Sequence, residues 1–146
     1  MSLIEQINND IKAAMLAKEK VKLESLRAVK AALLIANTSG EAVNEAAELK
    51  ILQRLVKQRR EAADIYLKNG RNELAQNELT QVQYIEVYLP TQINIEDIKA
   101  VVAQIISDIN AIGIKDMGKV MGIAAKQLAG KADNKAVSEI VKELLS

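Results

Sequence analysis

The chain has 146 residues, 49% of them hydrophobic, and a formal net charge of +1. It contains no cysteine and no histidine, which excludes disulfides, thiol nucleophiles, Ser-His-Asp triads and the usual zinc ligand sets. With no Phe, no Trp, three Tyr and a single Pro, the core must be aliphatic and the fold mainly helical.

Apolar residues recur at helical spacing through the first 89 residues. Ser2 and Glu5 have the spacing of a capping box, which predicts that the first helix begins here. The spacing and stop signals predict four helices: the first to about residue 18, the second ending at the NTSG segment of residues 37–40, the third over about 41–68, and the fourth over about 72–89.

The single proline, Pro90, disfavours a helical conformation for Leu89 and marks the best domain boundary. Beyond it, three polar residues precede apolar periodic segments and are expected to cap three more helices: Asn94, Asp116 and Asp133. Gly113 and Gly130 are expected to end the first two of these. We predict an all-α fold of two helical bundles, with four helices in residues 1–92 and three in residues 93–146.

Several functional classes lack their sequence signals. No secretory signal is visible, and the longest apolar runs are too short to cross a bilayer, so we expect a soluble, cytoplasmic protein without a membrane partner. There is no phosphate-binding glycine motif and no paired nucleophile and base. Neighbouring acids such as Glu96 and Asp97 favour a helix start rather than catalysis. We therefore expect no catalytic residues, no cofactor and no metal.

Basic residues follow one face of the third predicted helix. Lys50, Arg54 and Lys57 recur at i, i+4 and i+7, and Arg59 and Arg60 extend the charge around the side. The favoured interpretation is a solvated face balanced by nearby acids. The alternative is a protein-interaction module that docks a partner subunit through Lys57, Arg59 and Arg60.

The segment DMGKVMGIAAK, residues 116–126, divides into three strips when projected as a helix. One strip is apolar and predicted to face the core: Met117, Val120, Met121, Ala124 and Leu128. The second strip is bare, which means that it has no side chain larger than a methyl group: Gly118, Gly122 and Ala125. The third strip carries Lys119 and Lys126. The bare strip predicts either close packing of a neighbouring helix or a surface that admits an anion such as a sugar-phosphate chain, and both can hold at once.

Two pairs of motifs resemble the YqeY-like proteins. The first pair is YLKNGRNELAQNE at residues 66–78 with YLPTQ at 88–92, and the second is DMGKVMG at 116–122 with GKAD at 130–133. The resemblance spans essentially the whole chain. The family shares its fold with the C-terminal helical and tail region of the GatB subunit of aspartyl/glutamyl-tRNA amidotransferase. Where the family commonly has glycine after the aspartate of GKAD, this chain has Asn134, which makes a close backbone approach there less secure.

The resemblance implies two α-helical bundles and a function in tRNA handling. Because amide transfer occurs on other domains of the amidotransferase and its tail region holds tRNA, the chain is expected to be a non-catalytic accessory module that binds tRNA or a tRNA-handling enzyme. The implied RNA-backbone contacts are Lys115, Lys119, Lys126, Lys131 and Lys135, and the implied shape-setting residues are Gly118, Gly122 and Gly130. An amidotransferase-like activity, a carbon–nitrogen ligase with glutamine as amido donor, is the less favoured alternative.

Overall fold

A computed structural model of the protein describes residues 2–40 and 43–146. These parts of the chain are helical, which confirms the predicted all-α class. The helices in order are α1 (Leu3–Leu16), α2 (Lys20–Thr38), α3 (Glu45–Lys68), α4 (Asn72–Glu86), α5 (Ile95–Ile109), a 3-10 turn (Ile114–Asp116), α6 (Met117–Gln127) and α7 (Asn134–Leu145). Within the described residues, no helix combines the length and apolarity needed to span a membrane.

Side-chain caps begin several helices where the sequence indicated them. The Ser2 hydroxyl accepts from the Glu5 amide at 3.2 Å while the Glu5 carboxylate accepts from the Ser2 amide, which completes the capping box. Asn94 and Asp133 cap α5 and α7 without a reciprocal bond: their side-chain oxygens accept from the Asp97 and Lys135 amides. The third helix begins later than predicted, because Asn44 caps it by accepting from the Ala47 amide at 2.9 Å; residues 41 and 42 lie outside the described part of the chain.

Left-handed residues close the helical segments. Gly40, Gly70 and Gly130 adopt φ values of +85°, +72° and +75°, in or near the left-handed region that glycine enters without steric cost. Two predicted ends were wrong. Helix α5 ends at Ile109 because Asn110 takes the left-handed conformation, with φ 55°, before Gly113 is reached. Helix α4 ends at Glu86 rather than near Leu89, and a turn carries the chain to the proline.

The chain forms two compact units, Met1–Leu89 and Pro90–Ser146. Each has its own aliphatic core. The first unit buries side chains from α1 to α4 and from the turn that follows α4: Ile7, Ala14, Leu26, Val29, Leu33, Leu52, Val56, Val82, Ile85 and Leu89. The second buries side chains from α5, α6, the following turn and α7: Ile98, Val102, Ile105, Val120, Ala124, Leu128, Ala132, Val137, Ile140, Val141 and Leu145. The predicted domain limits, residues 1–92 and 93–146, stay a prediction because compact packing alone does not show independent folding.

The α3–α4 hairpin extends beyond the core of the first unit. None of the described residues between Val56 and Val82 joins that core. Within the extension Ala63 and Ala75 are both 1% exposed, and such small side chains let the two helices pack closely. At its base, the Arg59 guanidinium donates to the Gln81 side-chain oxygen at 2.9 Å and to the Leu55 carbonyl at 3.1 Å.

Candidate nucleic-acid interface

The start of helix α6 differs from the sequence prediction. Asp116 precedes α6 but its side chain does not cap it. Instead, the Asp116 carboxylate accepts a hydrogen bond from the Ile112 amide at 2.9 Å, four residues earlier in the chain. The intervening 3-10 turn places the carboxylate beside the loop rather than over the first amides of the helix. The prediction that Asp116 caps α6 was therefore wrong.

The apolar side of α6 faces the core as predicted. Val120 and Ala124 are fully buried and Leu128 is 4% exposed. Met117 and Met121 pack against the same core from its edge. This packing fixes the rotation of α6, so its opposite side must face away from the core of the second unit.

The glycines of α6 lie on that opposite side. Gly118 and Gly122 are exposed, and a Cβ added to either would meet no atom of the described chain within 4 Å. The interpretation that these glycines admit a neighbouring helix is therefore wrong for contacts among residues 2–40 and 43–146. Their open backbone stays available to a ligand.

Two lysines share the exposed side of α6 with these glycines. Lys119 and Lys126 are both exposed, and seven residues of helix separate them by roughly 10 Å along the axis. Helix α6 contains no acidic residue, and the ion pairs found among described residues involve neither lysine. We name Gly118, Lys119, Gly122 and Lys126 the lysine face.

The other lysines implied as RNA contacts lie at the two ends of α6 and beyond it. Lys115 is in the 3-10 turn that precedes α6, Lys131 is in the turn that follows it, and Lys135 is in the first turn of α7. All three are exposed, and the ion pairs of the described chain include none of them. Only Lys119 and Lys126 are shown to share one helix face.

Gly130 holds the turn between α6 and α7 in place. It is buried and left-handed. Its carbonyl accepts from the Gln92 side-chain amide at 2.6 Å, and the neighbouring Lys131 carbonyl accepts from the Ile93 amide at 3.1 Å. The segment after Pro90 thus binds the turn through backbone oxygens, a contact that sequence periodicity does not signal.

The residues predicted to contact a protein partner lie on α3, and two of them have intrachain partners. Arg59 is half-buried and hydrogen-bonded to Gln81, as described above, and Arg60 pairs with Glu86 on α4. Lys57 is exposed and belongs to none of the ion pairs of the described chain. The partner-binding role of these residues stays a prediction, but two of the three already tie α3 to α4.

A contact across the first unit was not anticipated from sequence. The hydroxyl of Tyr88, which lies in the turn after α4, donates to the Asp10 carboxylate on α1. Burial, followed by the hydrogen bond to Asp10 and its negative charge, raises the pKa of Tyr88 well above its usual range. The two residues are 78 positions apart, and no local pattern links them.

Tyr88 should make the first unit sensitive to alkaline pH. Because the folded pKa is raised, the stabilisation by this group is fully present below the unfolded pKa near 10 and declines as pH rises above it. We expect the free energy of unfolding of the native chain to fall more between pH 9 and pH 11 than that of Tyr88→Phe, as measured by urea unfolding. Equal losses in both proteins would contradict the contact, since the two proteins differ only in the Tyr88 hydroxyl.

No cluster of three or more metal-ligating side chains is found in residues 2–40 and 43–146. The lysine face offers a different kind of ligand chemistry. It presents two cations and exposed backbone, which suits an anionic chain such as a nucleic-acid backbone.

Two comparisons with known proteins relate the chain to families and proteins that are already described. A family model described as Yqey-like protein matches residues 4–145. The chain is similar to altered inheritance of mitochondria protein 41 of Eremothecium gossypii, with 34% identity over 59% of this chain and 48% of the relative. The protein of that name from Kluyveromyces lactis is 26% identical over 92% of this chain and 71% of its own length. The chain spans about half the length of the first of these relatives.

The names of these relatives correct one expectation. The relatives from Eremothecium gossypii, Meyerozyma guilliermondii and Kluyveromyces lactis are all named mitochondrial proteins, so the expectation of a cytoplasmic protein was wrong by this comparison. The features behind that expectation, the missing secretory pattern and the short apolar runs, do not distinguish the cytosol from the inside of a mitochondrion.

The family match covers nearly the whole described chain, including both units and the complete lysine face. It also includes the four motifs on which the resemblance rested. The chain belongs to the YqeY-like protein family.

Proposed function

We propose that this chain is a non-catalytic accessory module that binds tRNA through the lysine face of its second unit. The observation that carries the proposal is an exposed, acid-free side of α6 on which Lys119 and Lys126 have no ion-pair partner among described residues. Lysine ammonium groups bind phosphates as point charges and position a nucleic-acid backbone without reading its sequence.

The exposed glycines support the same ligand. A nucleic-acid backbone that approaches Gly118 and Gly122 meets no side chain there, so the phosphates can come close to both lysines. The family resemblance adds a second support, because the related tail region of the amidotransferase holds tRNA. Lys115 and Lys131 lie at the two ends of α6 and Lys135 lies in the first turn of α7, and all three would extend the contact.

The proposal is tested by titrating tRNA against the full chain at several salt concentrations. If the five lysines each neutralise one phosphate, the logarithm of the association constant should fall with the logarithm of salt at a slope of roughly −3.5 to −4.5. The double variant Lys119→Glu, Lys126→Glu should lose roughly 25- to 60-fold in affinity at 100 mM salt, since two counterion-releasing contacts are removed.

A matched control separates this site from bulk charge. Lys12 and Lys20 are exposed lysines of the first unit and belong to none of the ion pairs of the described chain. Changing both to Glu alters the net charge by the same amount and should leave tRNA affinity within about twofold. No binding at micromolar protein, or equal losses in the two double variants, would overturn the proposal.

The two alternatives stay predictions. Docking of a partner through Lys57, Arg59 and Arg60 has to compete with the contacts that Arg59 and Arg60 make with α4. Glutamine-dependent amidation would show as conversion of mischarged tRNA by the purified chain alone.

A further inference from the structure

The first unit contains an open groove between α2 and α3. It lies between the C-terminal half of α2 and the N-terminal half of α3 and has a volume of about 750 Å³. Its apolar lining consists of Ala32, Ile35, Ala36, Val43, Ala46, Ala47, Ile51 and Leu55. The groove lies in a different unit from the lysine face.

Short side chains leave this space open. Alanines occupy positions 32, 36 and 47 on the two facing helices, and their methyl groups cannot fill the gap that the helices enclose. Ile35 lines the groove and is 70% exposed. A partner that covers a large apolar side chain at the mouth of an apolar groove removes apolar surface from water, which favours binding.

Charge is distributed unequally across the groove. The α3 side carries Lys50 and Arg54, one helical turn apart, and both are exposed. Neither belongs to the ion pairs of the described chain. The described α2 residues that line the groove are uncharged, and no acid is among the described lining residues.

We propose that this groove binds an amphipathic α-helix of a partner protein, with an apolar face and acidic residues along one flank. An apolar stripe at i, i+3, i+4 and i+7 would cover Ile35 and the alanine floor. Lys50 and Arg54 are about 6 Å apart along the α3 axis, which matches two acidic side chains spaced i, i+4 on the bound helix. Complementary charge along one edge also fixes the orientation of that helix.

The test uses designed 18-residue helical peptides and the full chain. Three peptides share one leucine stripe and differ in a flank that carries two Glu, two Lys or two Gln at i, i+4. Fluorescence anisotropy should give the tightest binding for the Glu peptide. The variant Lys50→Glu, Arg54→Glu should weaken the Glu peptide roughly tenfold and should strengthen binding of the Lys peptide, since each surface ion pair contributes modestly.

Two matched substitutions test the apolar contact with the bound helix. Ile35→Asp should abolish peptide binding, whereas Leu34→Asp should leave it unchanged, because Leu34 is 45% exposed but does not line the groove. Circular dichroism confirms that each variant is folded.

Three results would overturn this inference: no peptide binding at millimolar concentration, equal binding of the Glu and Lys peptides, or equal effects of the two aspartate substitutions. Loss of tRNA affinity in Lys50→Glu, Arg54→Glu without any effect on peptide binding would assign the groove to RNA and also overturn it. The lysine-face experiment is independent, because its variants lie in the other unit.

Discussion

Leu26→Ala should destabilise the first unit by about 2–5 kcal/mol and leave the second unit almost unaffected. Leu26 is fully buried in the core formed by α1 to α4. Shortening this side chain to a methyl group reduces the buried apolar surface and leaves a cavity. The surrounding helices are already close-packed, so they can fill that cavity only in part. The second unit has a separate core, so its own packing does not change.

Hydrogen exchange followed by mass spectrometry measures this unit by unit. Amides of α2 and α4 should lose protection in Leu26→Ala while those of α5 and α7 retain it. The reciprocal variant is Ile105→Ala, which removes a side chain 3% exposed in the second core. It should give the opposite pattern. Equal loss of protection in both units for either variant would show one cooperative domain and contradict the predicted division near Pro90.

Two glycine-to-alanine substitutions in the second unit should change stability in opposite directions. Gly122 is exposed in the middle of α6 with open space above it, so Gly122→Ala should stabilise the unit by about 0.5–1 kcal/mol. Gly130 is buried with φ +75°. Gly130→Ala should destabilise the unit by about 1–2 kcal/mol, because a Cβ is strained in that conformation.

Thermal and urea unfolding of the two variants measure the difference, which should be about 1.5–3 kcal/mol. The same proteins also test the lysine face. If Gly122→Ala stabilises the fold and weakens tRNA binding, Gly122 is needed for ligand binding and not for stability. A destabilising Gly122→Ala would show that something packs on this strip and would contradict the open space described for it.

Most helices could be predicted from sequence because their signals are local. The capping box at Ser2, the cap at Asn94 and the glycine stop at Gly70 act within a few residues, so their chemistry can be recognised without a fold. The wrongly predicted end of α5 also has a local cause, because two nearby residues compete to end the helix. Asn110 entered the left-handed region before Gly113 could end α5, and two stop signals this close cannot be ranked from sequence.

The candidate site was predicted in part. Helical projection correctly separated the core side of α6 from the side that carries Lys119 and Lys126, because the 3.6-residue repeat alone sets this division. It could not show that Asp116 turns back to the Ile112 amide, since that depends on the 3-10 turn. It also could not distinguish a glycine strip covered by a helix from one left open.

Residue type and short-range periodicity were enough to predict the helical class, the aliphatic core and the side of α6 that faces the core. Which distant groups come into contact depends on the tertiary structure. Tyr88 contacts Asp10, Arg59 contacts Gln81, and Gln92 binds the Gly130 carbonyl. The same holds for the groove between α2 and α3, whose alanines leave space only because those two helices face each other. Such proximity depends on how the whole chain packs, and no local pattern encodes it.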